Sequence, residues 1–284
     1  MDMSNAFVQV MRAGTYTSIQ DAGRQGFMHL GVPRSGYMDD YTASLANDLV
    51  GNGKNEACIE FFKTGLKLRF SAPTIIAIAA QGCRYSVDDE YFRGINTHQL
   101  EAGSIITILE MHDSNWGYLA IAGGFQSEIV MASRSLMDNV TLHSHLPNGF
   151  VIPYRADFDT PIKTTIGLQI KPNIENFTMS EGPEFNQISK AISTDFYRQS
   201  FKVASITRQA IRLSPRLEIS KPLNGITSSF TPAGTIQVTP DGMIFILLRD
   251  GQTTGGYARF GFICDEELND LVQVEVGGEV MIGL

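Results

Sequence analysis

The feature that most limits the fold is that apolar sequence arrives in short pieces. Runs at 7–11, 58–62, 66–70, 74–80, 104–109 and 118–122 are five to seven residues long and bounded by Gly, Pro, Asp or Asn. A helix usually needs about ten residues or more, so runs of this length with turn residues at their ends read as strands. A second set at 164–170, 201–206, 235–238, 244–248, 257–264 and 280–282 repeats the pattern. Closely spaced strands of this kind indicate a mainly β fold of barrels or sandwiches.

Helices are few. Residues 39–50 put Tyr41, Leu45 and Leu49 on one face and stop at Gly51, a good helix-ending residue. Residues 184–196 place Phe185, Ile188 and Ile192 behind Pro183, and residues 265–273 turn Leu268 and Leu271 inward. All three read as connectors with core-facing stripes. Between Ser127 and Asp159 the apolar rhythm fades into Ser133-Arg134-Ser135, His143-Ser144-His145 and Pro147-Asn148-Gly149, a loop composition that places a domain transition nearby.

Composition then excludes several function classes. With 284 residues, 43% of them hydrophobic and 18% charged, the chain has room for one large or two ordinary globular domains. A net charge of -8 repels phosphate backbones and anionic head groups, so neither nucleic acid nor a membrane surface is expected as a partner. No apolar run approaches the ~20 residues of a membrane span, and Met1-Asp2-Met3-Ser4-Asn5 lacks a basic leader, so a cytoplasmic location is expected. Cys58, Cys83 and Cys264 are widely separated and sit in apolar runs, which reads as three inert core thiols. His143 and His145 lack a clustered third ligand, and no metal site is expected. Gly51-Asn52-Gly53-Lys54 has Asp48 and Asn55 where a phosphate loop needs Gly and Ser or Thr, so it reads as a helix-ending turn and not a P-loop.

Three polar constellations carry the chemistry that is visible. In the first, Gln20-Asp21-Ala22-Gly23-Arg24-Gln25-Gly26, two glycines shape a tight turn that displays Gln20, Asp21 and Arg24. Arg24 has the fork to clamp an anion and Asp21 the carboxylate to orient it or handle a proton; an Asp–Arg loop staple is the competing explanation. In the second, Gly31-Val32-Pro33-Arg34-Ser35-Gly36-Tyr37-Met38-Asp39, Asp39 lands at a helix mouth, where it caps the helix or serves a site. The third, Arg249-Asp250-Gly251-Gln252-Thr253-Thr254-Gly255-Gly256-Tyr257, follows an apolar strand with three glycines and a row of donors. It reads as a nest for an oxyanion facing Asp250, with a self-satisfied hairpin as the alternative.

In order and spacing these motifs resemble the KipA-like carboxyltransferase and 5-oxoprolinase accessory family. The likeness continues through Ala46-Asn47, Leu49-Val50-Gly51-Asn52, Glu60, Leu119-Ala120-Ile121-Ala122-Gly123-Gly124-Phe125, Ser133-Arg134-Ser135, Gly182-Pro183-Glu184, Arg208, Arg212-Leu213, Gly234-Thr235-Ile236-Gln237-Val238 and Gln273. That family includes the C subunit of a bacterial ATP-dependent 5-oxoprolinase, chains labelled allophanate hydrolase subunit 2 and the carboxyltransferase part of urea carboxylase. The resemblance implies two cyclophilin-like β-barrels with a few short helices, one in residues 1–160 and one in 161–284, with strands exchanged between them where the boundary is loose.

What the resemblance implies about activity is the opening of 5-oxoproline to glutamate, together with a KipI-like B subunit and a LamB/YcsF-like A subunit. ATP would be bound by the complex. Asp250, Asp39 and Asp21 are then the acid–base candidates; Gln20, Arg24, Arg208, Gln237, Gln252, Thr253, Thr254, Gly256 and Tyr257 are the substrate- or anion-binding set. One alternative is a biotin-dependent carboxyltransferase working on a urea-like amide with carboxybiotin from a separate carrier. The other is a regulatory module that binds a KipI-like partner without catalysis. Arg249, Thr239, Ala210 and Pro215 depart from the family pattern close to the expected site.

Overall fold

The computed structural model describes residues 6–156, 174–185, 194, 196–219 and 226–284. It is mainly β. The chain divides into two compact units: Met1–Gln25 with Ser35–Lys171, and Gly26–Arg34 with Pro172–Leu284. The expected strand at 164–170 and most of the expected helix at 184–196 lie outside the described residues.

The first unit holds two sheets. One has six strands in the order β11 (Val151–Pro153), β1 (Phe7–Ala13), β4 (Leu66–Phe70), β9 (Ile105–Met111), β6 (Cys83–Val87) and β7 (Glu90–Arg93). The other has five, β2 (Tyr16–Gln20), β3 (Cys58–Phe62), β10 (Trp116–Ile121), β5 (Thr74–Ala79) and β8 (Asn96–Leu100). Strands of both sheets supply one core that includes Val8, Leu68, Ile106, Ile59, Ile76 and Leu119. β3 and β5 are buried along almost their whole length because both of their faces are covered, whereas β4 alternates buried Leu66, Leu68 and Phe70 with outward Lys67 and Arg69.

Helix α1 (Asp40–Leu49) packs on β10 and β5 with Thr42, Ala43, Ala46, Asn47 and Leu49 buried. The expected stripe of Tyr41, Leu45 and Leu49 is thus rotated: Tyr41 is 45% exposed. Alanines face the sheet because small side chains let helix and sheet approach closely, and this contact outweighs simple apolar periodicity.

The second unit is a closed barrel of seven strands, in the order β12 (Asn176–Glu181), β19 (Ala258–Ile263), β16 (Thr235–Val238), β17 (Ile244–Leu247), β14 (Ala210–Ser214), β13 (Phe201–Ile206) and β20 (Glu279–Gly283). Closure comes from the parallel β12–β20 pair, Asn176 opposite Met281; the other neighbours run antiparallel. A two-stranded ribbon of β15 (Ser229–Phe230) and β18 (Thr254–Gly255) and a helix, α2 (Asp265–Leu271), complete it. Arg34, from the short segment that folds with this unit, reaches Asp265 at 3.4 Å.

Candidate functional site

The expected site residues separate into two groups, one in each unit. In the first unit Asp21 follows β2, and Gly23 at φ +82° and Gly26 at φ +86° bend the chain as glycine permits. The Asp21 carboxylate accepts four hydrogen bonds: from the Gly23 amide at 2.8 Å, the Ser133 hydroxyl at 2.6 Å, the Ser135 hydroxyl at 2.7 Å and the Arg134 amide at 2.6 Å. Three of these donors reach Oδ1 and the Arg134 amide reaches Oδ2, so both carboxylate oxygens are engaged. Arg24, fully buried, donates to the Ser135 carbonyl, and Gln20, also fully buried, donates to Ser18 and the Leu136 carbonyl. Asp21 and Arg24 therefore converge on one loop, 133–135, through separate atoms. Gly36 closes the assembly: a Cβ there would lie 3.0 Å from the Asp21 carbonyl oxygen.

Asp39 caps α1, accepting from the Thr42 amide at 2.9 Å and the Thr42 hydroxyl at 2.5 Å. Its own amide donates to the Tyr118 hydroxyl, which donates in turn to the buried Glu60 carboxylate; both distances are 2.8 Å. Glu60 also receives the Met38 amide at 2.8 Å. Burial, followed by the nearby Glu60 and Asp39 charges, drives the Tyr118 hydroxyl well above its ordinary pKa, so it stays protonated and donates. Glu60 and Tyr118 are thus members of this group that residue patterning left unassigned; a glutamate inside an otherwise apolar strand was the available signal.

In the second unit the polar turn 249–257 sends its side chains in several directions. Arg208 grips Asp250 through two bonds, at 2.7 and 3.1 Å, with side chains 6% and 13% exposed. Arg249 points to Asp265 at 2.9 Å. Gln252 donates its amide to the Gln237 side-chain oxygen at 3.1 Å. Gln237 is 2% exposed, and its amide nitrogen has no hydrogen-bond partner among the described residues. Gly255 makes this convergence feasible, since a Cβ there would stand 2.5 Å from the Gln252 amide nitrogen and 2.6 Å from that of Gln237. Thr231 fastens the ribbon from the other side, donating its amide to the Thr253 carbonyl at 2.9 Å and its hydroxyl to the Gln252 carbonyl at 2.9 Å. Thr254, Gly256 and Tyr257 are exposed, and Thr253 is buried.

A strong pair stands beside this turn. Arg259, opposite Gln237 in the β16–β19 register, holds Glu184 by two side-chain bonds at 2.8 and 2.7 Å. The Arg259 hydrogen bonds hold the Glu184 carboxyl below its ordinary pKa, against the pull of burial. Glu184 belongs to the Gly-Pro-Glu motif, but only the fold brings it to Arg259.

Other expectations resolve locally. Gly51 takes φ +73° and ends α1, and Asn52 bonds across to the Ile121 carbonyl at 2.8 Å, so this stretch is a helix terminus. His143 packs edge-on against Phe150, and His145 meets the Ser144 hydroxyl. Burial raises the thiol of Cys58 well above its usual range and that of Cys83 to about 12, in line with inert core thiols. Cys264 corrects that expectation: it is exposed, because it stands at the N-cap of α2, where the chain leaves the barrel wall.

Comparison with known proteins gives this geometry a lineage. A family model described as carboxyltransferase domain, subdomain A and B, matches residues 30–282. The C subunit of the 5-oxoprolinase of Escherichia coli is 27% identical over 282 residues, 95% of this chain and 88% of that protein. The urea amidolyase of Lachancea kluyveri is 37% identical over 128 residues, 45% of this chain and 7% of that protein. A crystal structure of TTHA0988 superposes with a TM-score of 0.88 at 27% identity, covering 98% of this chain and 56% of that one.

Proposed function

Because this chain belongs to the family of carboxyltransferase domains with subdomains A and B, we propose that it works as the C subunit of an ATP-dependent 5-oxoprolinase that opens 5-oxoproline to glutamate. The observation that carries the proposal is the buried Gln237 amide nitrogen, a donor with no acceptor among the described residues beside the Gln252 amide. A buried donor left alone costs about 1–3 kcal/mol, so it is expected to serve an oxygen that arrives with a ligand. The ring carbonyl of a lactam is such an oxygen, and it gains negative charge as the amide bond is attacked. The likeness to the 5-oxoprolinase C subunit over nearly the whole chain supports this substrate class.

In this reading Gln237 and Gln252 contact the lactam oxygen, and Thr253, Thr254, Gly256 and Tyr257 complete the binding turn. Asp250 is the acid–base group, with Arg208 fixing its orientation through the two-bond grip. Asp21 and Asp39, whose carboxylates are taken up by local amides and hydroxyls, act by holding the first unit's turns in place. The described residues build no phosphate loop at Gly51–Lys54, which is a helix terminus; nucleotide binding is assigned to the complex, formed with KipI-like and LamB/YcsF-like subunits in the cytoplasm.

Carboxyl transfer is the second reading, favoured by the 37% identity to urea amidolyase over 45% of the chain. The same amides would then polarise the carbonyl of carboxybiotin carried by another protein. Reconstitution with the partner subunits separates the two. ATP-dependent glutamate release from 5-oxoproline is expected, with kcat lowered about 100-fold in Gln237→Leu. A complex that carboxylates an amide from carboxybiotin and releases no glutamate overturns the first reading.

A further inference from the structure

The outer face of the six-stranded sheet carries a second feature, in the first unit and independent of the proposal above. A cavity of about 400 Å³ opens at the end of the β1–β4 pair, lined by residues that include Phe7, Gln9, Arg69, Ser71, Ala102 and Gly103. Its volume lies within the ~300–1,000 Å³ range of small-molecule pockets.

The strand register explains its chemistry. Gln9 and Arg69 are direct cross-strand partners. Each lies next to a residue that turns into the core, Val8 and Phe70, both fully buried, so the amide and the guanidinium share the outward face. The Arg69 side chain makes no hydrogen bond or ion pair with any described residue, and Lys67 and Arg12 continue the cationic row on the same two strands. The wall beside them is apolar: Phe7 is 40% exposed. The rim is fixed, since the Phe7 amide donates to the Ser71 hydroxyl at 2.8 Å, the Ser71 amide to the Phe7 carbonyl at 2.9 Å and the Gly103 amide to the Phe70 carbonyl at 2.7 Å.

We infer that this cavity binds a small molecule made of one carboxylate on a flat apolar body, with the carboxylate on Arg69 and Gln9 and the apolar body against Phe7. A guanidinium that no described residue engages is suited to a two-bond grip on a carboxylate, and the exposed ring supplies apolar contact that a plain anion site lacks. In a chain of net charge -8, a row of cations with no acid among the cavity walls also selects for anions.

Benzoate is the probe and benzamide its uncharged counterpart, titrated by calorimetry and by ligand-observed NMR against the full chain. Saturable benzoate binding is expected, with benzamide weaker by about tenfold or more and Arg69→Gln weakening benzoate by a similar factor, ~1.4 kcal/mol. Phe7→Ser is expected to weaken both probes. Arg84→Gln, which removes an exposed arginine paired with Glu110 on the same sheet, serves as the control and leaves binding unchanged. The inference is overturned if benzoate fails to saturate the wild-type chain, if benzamide binds equally well, or if Arg69→Gln and Arg84→Gln behave alike. The altered side chains are exposed, so the melting temperature verifies that each variant is folded.

Discussion

The Asp21 turn and the Asp250 turn look like twins in sequence, each a glycine-shaped loop crowded with polar side chains, yet they end in opposite states. Asp21 collects four donors from the 133–135 loop and its own turn, and both of its carboxylate oxygens are engaged. In the other turn Gly255 lets two amides meet, and the Gln237 nitrogen has no hydrogen-bond partner among the described residues. Polar density therefore does not distinguish a knot from a site. The difference lies in whether donors and acceptors balance once the chain has folded.

Stability measurements test this difference first. Asp21→Ala strips the acceptor from four donors at once, and a loss of about 2–4 kcal/mol is expected, read as a lower urea midpoint with unchanged slope. A loss near zero would show that the 133–135 loop does not depend on Asp21. Glu184 offers a middle case. Its folded-state pKa is depressed, so its stabilisation is complete above the unfolded value of 4.5 and is lost as pH falls through the lower folded value. Wild type and Glu184→Gln should thus differ in melting temperature at pH 7 and converge only in acid, once the pH has fallen below the depressed folded value. A gap that stays constant with pH would remove the ion pair as its cause.

The smallest stability effect, and the one that separates the two turns most cleanly, belongs to Gln237→Leu. Removing an unsatisfied buried donor is expected to change stability by less than about 1 kcal/mol, in either direction, while activity of the reconstituted complex collapses. Gly255→Ala should act similarly on activity, because its added methyl occupies the space where the two amides meet. If Gln237→Leu instead unfolds the barrel, the turn is a second knot and not a site.

Strands rich in large apolar residues were plain from residues alone: β3, β4, β13 and β16 fall on runs read from the sequence, residue for residue. Strands with fewer such residues escaped. In β14 Ile211 and Leu213 flank Arg212 with only Ala210 and Ser214 outside them, and β8 is mostly polar, Asn96 to Gln99, so neither forms a continuous apolar run. The motifs that make the candidate turns were visible too, but their partners were not. Ser133 stands more than a hundred residues from Asp21, and Arg208 more than forty from Asp250; only strand register and loop closure set them together. Arg249 illustrates the converse. It departs from the family pattern beside the site, yet its side chain goes to Asp265 at α2, away from the Gln252–Gln237 pair.

The assignment of Gly26–Arg34 to the barrel unit, while the chain on either side belongs to the first, has a consequence for how the protein is made. A ribosome delivers this short segment early and its barrel late, so these residues wait without their neighbours until the C-terminal strands have emerged. The first unit can close around its own sheets in the meantime, but the excursion cannot settle. A nascent chain released near residue 160 should therefore be cut by protease within 26–34 faster than the full-length chain is cut at the same bonds.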